Sequence, residues 1–370
     1  MTIKKKLNYA GPSITNLEIQ YVNEAVRKGF YENYKFHTSK LEKKLCSLLK
    51  IKYALAVNSC TSALHLSLLA LNLKKGDEVI TSDSTCVASA LPISYLGARP
   101  IFVDVDPKTW CMSPEKIEQA ITKKTKAILV VHWNGYPCNM TQIIQISKKY
   151  NLKIIEDAAA ALGGKWKNKY VGTIGDTGAF SFQGAKIAIG SVGGALVTNS
   201  KKIYDLAKIY SQYGRTDSKK KYWSDYLGYN YNMPNLSAAL ATAQIKRLKY
   251  LVSYKRNIYK WYEDELKNFE FVDLKKEYKQ SISTYCYPIM EVLTKNLNKR
   301  DELIKYLNRQ NIDARCAQPR CSDMPIFKKK YNNLESKKAE NFGIILPAAY
   351  NLKKKDIKFI CKKIKNYNYL

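Results

Sequence analysis

No stretch of the 370 residues approaches the apolar length that a bilayer-spanning helix needs. The first residues, MTIKKKLNYAGPS, are basic but have no apolar run behind the charge, so they do not read as a secretory signal. The nine cysteines, an odd number, include no C-x-x-C pair, and no Cys/His spacing suits a metal. These absences predict a cytoplasmic protein with free thiols, no membrane anchor and no bound metal. Acidic residues are scarce: 31 Asp and Glu stand against 62 Lys and Arg, a net charge of +31. Hydrophobic residues are not scarce; at 46% they exclude global disorder.

Such a charge favours acidic partners: nucleic acid, anionic membrane or phosphorylated small molecules. Most of the positive residues are Lys, whereas Arg is the better bidentate reader of bases and phosphates. The lysines also spread along the chain, with short runs at 219–221, 328–330 and 353–355. Together with abundant Asn, Ile and Tyr, that spread fits compositional bias better than nucleic-acid binding. The field still favours a phosphorylated small molecule.

The chain length suits a large domain plus a smaller one. Residues 13–50 read as helix, with Ser13 or Thr15 as cap and Ile19, Val22 and Val26 on one face. Short β-rich runs follow at 53–57, 78–81, 100–103, 127–131, 153–156, 179–182 and 195–198. Helical patterns at 62–71, 114–121 and 139–150 alternate with them. The alternation predicts an α/β fold: a mostly parallel sheet with helices on its faces and ligands beyond the carboxyl ends of its strands. After Asn235 the pattern changes to one long helix over 235–267, a Lys/Tyr-rich region with few strand signals, and helices near 297–309 and 353–366. The expected division is a large domain over 1–245 and a smaller α+β domain over 246–370.

Three local signals carry chemistry. In AVNSCTSALHL, Ser59, Thr61 and Ser62 stand where a strand ends and a helix begins. Free N–H groups and the helix dipole make that an anion site, although a plain N-cap looks the same. Asp157 follows an apolar strand and precedes a small-residue run, so it either faces the ligand crevice or caps the next turn. Lys186, in AFSFQGAKIAIGSVGG, lies in a short loop between apolar strands. A partly desolvated lysine there is suited to act as a nucleophile and proton shuttle. In so Lys-rich a chain a chance loop lysine is the plainer account. Gly190, Gly193 and Gly194 do not form G-x-G-x-x-G, which excludes a dinucleotide fingerprint. Taken together, an anion cradle, a carboxylate for a ring nitrogen and a loop lysine are the parts of a pyridoxal 5′-phosphate (PLP) site.

The stretches YAGPSIT, NSCTSALHLSLLALNLKKGDEVI, GARPIFVDVDP, VVHWNGYPCNM, IIEDAAAALGG, GDTGAFSFQGAK, GGALVTN, GYNYNMPNLSAALA and LPAAYNL span nearly the whole chain. Through them the sequence resembles the DegT/DnrJ/EryC1/StrS family of sugar aminotransferases, which have the aspartate aminotransferase (type I PLP) fold. The resemblance implies that Lys186 is the Schiff-base lysine and moves the proton, while Asp157 keeps the pyridine nitrogen protonated. It places the turn of Ser59, Cys60 and Thr61 on the phosphate, joined by Ser181, with Gln183 on phosphate or substrate. Asn230 is expected to reach the phosphate of a neighbouring subunit, which implies a homodimer with shared active sites. His132 lies in a loop that touches cofactor or substrate. The sequence departs from the family pattern at Cys86, where a stacking aromatic is usual, and at Ala160, where a longer polar side chain is usual. It departs also at Asn232 and Pro234. For substrate, the candidates are Tyr31, Glu32 and His37 near the sugar, and Arg315 and Arg320 for the nucleotide diphosphate.

A related group with His in place of the lysine dehydrates sugars, so Lys186 implies amino transfer from L-glutamate. The loop Q-G-A-K-I-A-I-G resembles the perosamine-type enzymes rather than the P-x-K-x-L-G form of those acting at carbon 3. The expected substrate is a nucleotide-linked 4-keto-6-deoxyhexose, giving a 4-amino-4,6-dideoxy sugar of perosamine or viosamine type. A 3-keto sugar, a keto-octulosonate, a cyclitol, and an inactive nucleic-acid-binding relative stay open as alternatives.

Overall fold

The computed structural model describes residues 6–216, 220–327 and 329–369; Lys219 and Lys328, in two of the lysine runs, lie outside them. The chain first lays down β1 (Tyr53–Val57), β2 (Glu78–Ser82), β3 (Arg99–Val103), β4 (Thr125–Val131) and β5 (Lys153–Asp157). A short hairpin, β6 (Lys165–Trp166) and β7 (Lys169–Tyr170), precedes β8 (Thr177–Ser181) and β9 (Gly194–Thr198). Seven of these form one sheet in the order β1-β9-β8-β5-β4-β2-β3. Neighbours from β8 to β3 pair parallel, and β9 alone runs against both its neighbours. The strands are buried almost throughout, as apolar runs covered on both faces must be. Their carboxyl ends, together with the start of β9, therefore gather along one edge.

The expected single helix over 13–50 is broken. Helix α1 (Asn16–Lys28) starts at Thr15, whose side chain forms a capping box with Glu18. Gly29 ends it; a Cβ there would lie 2.5 Å from the Ala25 carbonyl and 2.3 Å from the Asn235 side chain. A 3-10 turn (Tyr31–Asn33) leads into α2 (Phe36–Leu49).

Then come α3 (Cys60–Ala70), α4 (Val87–Tyr95), α5 (Pro114–Gln119), α6 (Met140–Tyr150) and α7 (Lys201–Ser211), which cover the sheet. The expected helix over 235–267 is also divided, into α8 (Asn235–Lys246) and α9 (Leu248–Leu266). Arg247 sits at the break, with its guanidinium on the Ser13 carbonyl and hydroxyl and on Glu18.

The remaining chain forms α10 (Lys299–Arg309), α11 (Leu334–Phe342) and α12 (Lys354–Lys365). Among them run β10 (Val272–Leu274), β11 (Ser281–Ile282), β12 (Ile289–Val292), β13 (Arg315–Cys316) and β14 (Gly343–Ile345). Four of these make an antiparallel sheet, β10-β12-β14-β13, where few strand signals had been expected. Each of its strands has two to four residues, too few for an alternation to show.

One buried core fills the space around the large sheet, and a second joins α9, α10 and α12 to the small sheet. Leu7 belongs to the second core: its N–H donates to the Asn311 carbonyl at 2.8 Å. All nine cysteines are free, and among the described residues no helix is long and apolar enough to cross a membrane.

Candidate active site

Strand ends supply the site. From the end of β1 the chain passes through Asn58 and Ser59 into α3. Ser59 caps α3, accepting the Ser62 N–H at 3.0 Å. The first amides, Cys60 and Thr61, have no acceptor within the helix and lie at its positive end. Gly193 and Gly194 let β9 begin against this turn; a Cβ on Gly194 would meet the Cys60 nitrogen at 2.5 Å, and Gly193 has φ +131.

Asp157 closes β5 and is buried. Its Oδ2 accepts the Ser89 hydroxyl at 2.7 Å, and its Oδ1 accepts the Ala159 N–H at 3.0 Å. The Cys60 thiol stands 3.9 Å from Oδ1, where burial first and the adjacent carboxylate second hold its pKa well above the usual thiol value. After β8 comes the loop of Lys186, which is half-buried; its N–H donates to the Gln183 carbonyl at 2.9 Å.

These groups meet. Two adjoining cavities, of about 350 and 280 Å3, share Cys86, Ser89, Asp157, Ala159, Gln183 and Lys186 in their walls. The first is completed by Asn58, Ser59, Cys60, Thr61 and Ser181. The second is completed by Tyr9, His132, Trp133, Asn134, Ala160, Tyr287, Arg315 and Gln318, among others.

His132 is fixed from behind. Its Nδ1 accepts the Cys138 N–H at 3.1 Å, which leaves the proton on Nε2 to donate to Glu156 at 3.0 Å. Glu156 also accepts the N–H groups of Gly172, Ile174 and Gly175. Arg315 borders the second cavity with its guanidinium 3.6 Å from the Tyr9 ring centroid and paired with Asp313. The Tyr9 ring stacks on Tyr287, and the Lys186 amine lies 5.7 Å from the Tyr287 centroid.

Other sequence candidates are not brought to the cavities of this chain. The Arg320 guanidinium is buried and taken up by Asp323, which is exposed, and by the half-buried Glu340. His37 is buried between Tyr21 and Phe36, 4.0 Å from Glu24, and burial pushes its pKa down. Tyr31 (93% exposed) and Glu32 stand on the surface turn between α1 and α2. Asn230 is exposed, but its carbonyl accepts from the Asn58 side chain at 3.5 Å, so its segment borders the anion turn.

Cys86 precedes α4, without a side-chain capping bond, at the wall shared by both cavities, and Ala160 lends its carbonyl to Thr284. Sequence reasoning missed Ser89, Tyr9, Tyr287 and Asn134. The Asn134 side-chain nitrogen is buried, lacks a partner among the described residues, and lines the second cavity. Its only sequence signal was its place two residues after His132.

An anion cradle, a buried carboxylate and a lysine in one crevice, at the carboxyl edge of such a sheet, define a PLP-dependent enzyme of the aspartate aminotransferase (type I) fold. Residues 12–365 match the DegT/DnrJ/EryC1/StrS aminotransferase family, and the chain belongs to it. Its cofactor is PLP, and the donor set fits the group: N–H groups for the phosphate, a carboxylate for the ring nitrogen, an amine for the aldehyde carbon.

A GDP-perosamine synthase of Escherichia coli O157:H7 is 39% identical over 96% of this chain and 97% of its own. A GDP-perosamine synthase of Vibrio cholerae is 32% identical over 96% and 97%. Among solved structures, the PLP form of an aminotransferase from Streptococcus pneumoniae superposes with a TM-score of 0.90, at 25% identity and 98% coverage of both chains.

Proposed function

We propose that the protein transfers an amino group from L-glutamate to carbon 4 of a nucleotide-linked 4-keto-6-deoxyhexose, giving a perosamine-type 4-amino-4,6-dideoxy sugar. The observation that carries amino transfer is the meeting of Lys186, Asp157 and the start of α3 around one crevice. The choice of sugar rests on the two GDP-perosamine synthases just described, which also make GDP the expected nucleotide.

Bound PLP supplies an electron sink for the carbon that gains or loses a proton. The residues do the rest. Cys60 and Thr61 hold the phosphate through their N–H groups, with Ser59 shaping the turn and Ser181 adding a hydroxyl. Asp157 keeps a proton on the ring nitrogen, and Ser89 orients Asp157. The Lys186 amine carries the proton between the cofactor's 4′ carbon and the sugar carbon. Gln183 uses its Oε1 on the Ala185 N–H at 2.9 Å, which leaves its NH2 to donate to phosphate or substrate. His132, Asn134 and Arg315 face the substrate, the last as an anion contact.

The same reading makes the active form a homodimer. Asn230, Tyr31 and Glu32 are exposed on one chain and serve the site of the other. It also divides the chain near 245–246 into a large and a small domain; the second hydrophobic core supports this, with Leu7 docked on the small part.

Turnover with glutamate on a panel of UDP-, GDP- and dTDP-linked 4-keto-6-deoxy sugars tests the substrate class. The GDP-linked member is expected to turn over, and absence of turnover on the whole panel refutes the class.

A further inference from the structure

Lys255 on α9 is a completely buried lysine outside the crevice. Its Nζ donates to the carbonyls of Cys286 at 3.0 Å and Ala348 at 2.6 Å. The same ammonium lies 5.8 Å from the Tyr287 ring centroid and 5.0 Å from that of Tyr350. Both rings reach the lysine loop. The Tyr287 hydroxyl donates to the Ala185 carbonyl at 2.6 Å, and the Tyr350 hydroxyl donates to the Ile187 carbonyl at 3.0 Å. Ala185 and Ile187 are the two neighbours of Lys186.

Burying an ammonium is costly, and here it pushes the pKa of Lys255 down to about 8. A methionine would fill the same volume without that cost. It could not hold two carbonyls at fixed positions one and two residues before the two tyrosines.

We propose that Lys255 is a positioning residue for amino transfer: it fixes the two segments whose tyrosines clamp the backbone on either side of Lys186. The inference rests on the reading of Lys186 as the catalytic amine. It assigns Lys255, Tyr287 and Tyr350 one task, which is to hold that amine in place.

Tyr287→Phe and Tyr350→Phe keep the rings and remove one hydroxyl each; Lys255→Met removes the ammonium. Hydrogen exchange of the 183–190 amides is measured by mass spectrometry in the cofactor-free protein, beside kcat and KM of the PLP-loaded enzyme. Each Phe variant is expected to speed exchange in that segment roughly fivefold to tenfold, as loss of one hydrogen bond implies. The double variant and Lys255→Met are expected to speed it further. In all of them kcat falls while KM for the sugar holds. Unchanged exchange in the double Phe variant overturns the clamp, even if Lys255→Met folds poorly. Faster exchange with unchanged kcat overturns the positioning role. The exchange readout is independent of Lys186 chemistry, so failure of the catalytic assignment is told apart by Lys186→Ala retaining transfer.

Discussion

Ser89 Oγ donates to Asp157 Oδ2 at 2.7 Å, joining the first turn of α4 to the end of β5. Thr85 Oγ1 stands 3.0 Å from the same Ser89 oxygen, so a chain of hydroxyls backs the carboxylate. A hydroxyl–carboxylate bond of this kind holds the direction of Asp157. Ser89→Ala is expected to lower kcat roughly tenfold to a hundredfold with little change in KM for the sugar. Steady-state kinetics at saturating PLP check this.

Lys186→Ala removes the amine that moves the proton. Transfer is expected to fall on the order of 100- to 10,000-fold, the usual range for loss of a positioned acid–base group. The wild-type protein is expected to be yellow and to lose that colour with glutamate; the variant is expected to show no such change. Absorbance spectra with and without glutamate decide it.

The two arginines proposed from sequence part company. Arg315 borders the crevice with half of its side chain exposed, so Arg315→Ala is expected to raise KM for the substrate, with about 1 kcal/mol or less of stability lost from its pair with Asp313. Arg320 sits in the Asp323 and Glu340 cluster, so Arg320→Ala is expected to cost about 2 kcal/mol of stability with KM unchanged. Thermal unfolding and kinetics on both variants separate the roles.

His65 on α3 is buried, which lowers its pKa from 6.5 to about 4. Its Nε2 has no partner among the described residues, so a charged ring would bury an unsatisfied donor. Because the folded value lies below the unfolded one, the unfolded chain takes up the proton first. Stability from this group is full above about pH 6.5 and is lost as pH falls towards 4, by at most about 1.4 kcal/mol per pH unit. His65→Phe is expected to flatten that part of the stability–pH curve, measured by denaturant unfolding.

The large sheet was legible because buried parallel strands are short apolar runs bounded by turn residues. Lys186, Asp157 and the Ser59–Thr61 turn were legible because each sits where such a run stops. Other features depend on distant residues and left little local trace. The break after α1 depends on Gly29 packing against Asn235, and the α8–α9 break on Arg247 reaching Ser13 and Glu18. Helix α4 is apolar on most sides and contains Pro92, so no amphipathic period marked it. Tyr287 is one of 28 tyrosines, and only the fold places its hydroxyl beside the lysine loop. Arg320 misled because a charge near the expected site looks alike in sequence whether it faces a ligand or the carboxylates of its own chain.

The most direct test of the central claim is product analysis by NMR after incubation with 15N-glutamate and a GDP-linked 4-keto-6-deoxyhexose. The account predicts the label on carbon 4 of a GDP-linked 4-amino-4,6-dideoxy sugar. Label on carbon 3, or no label transferred by PLP-loaded protein, would contradict it.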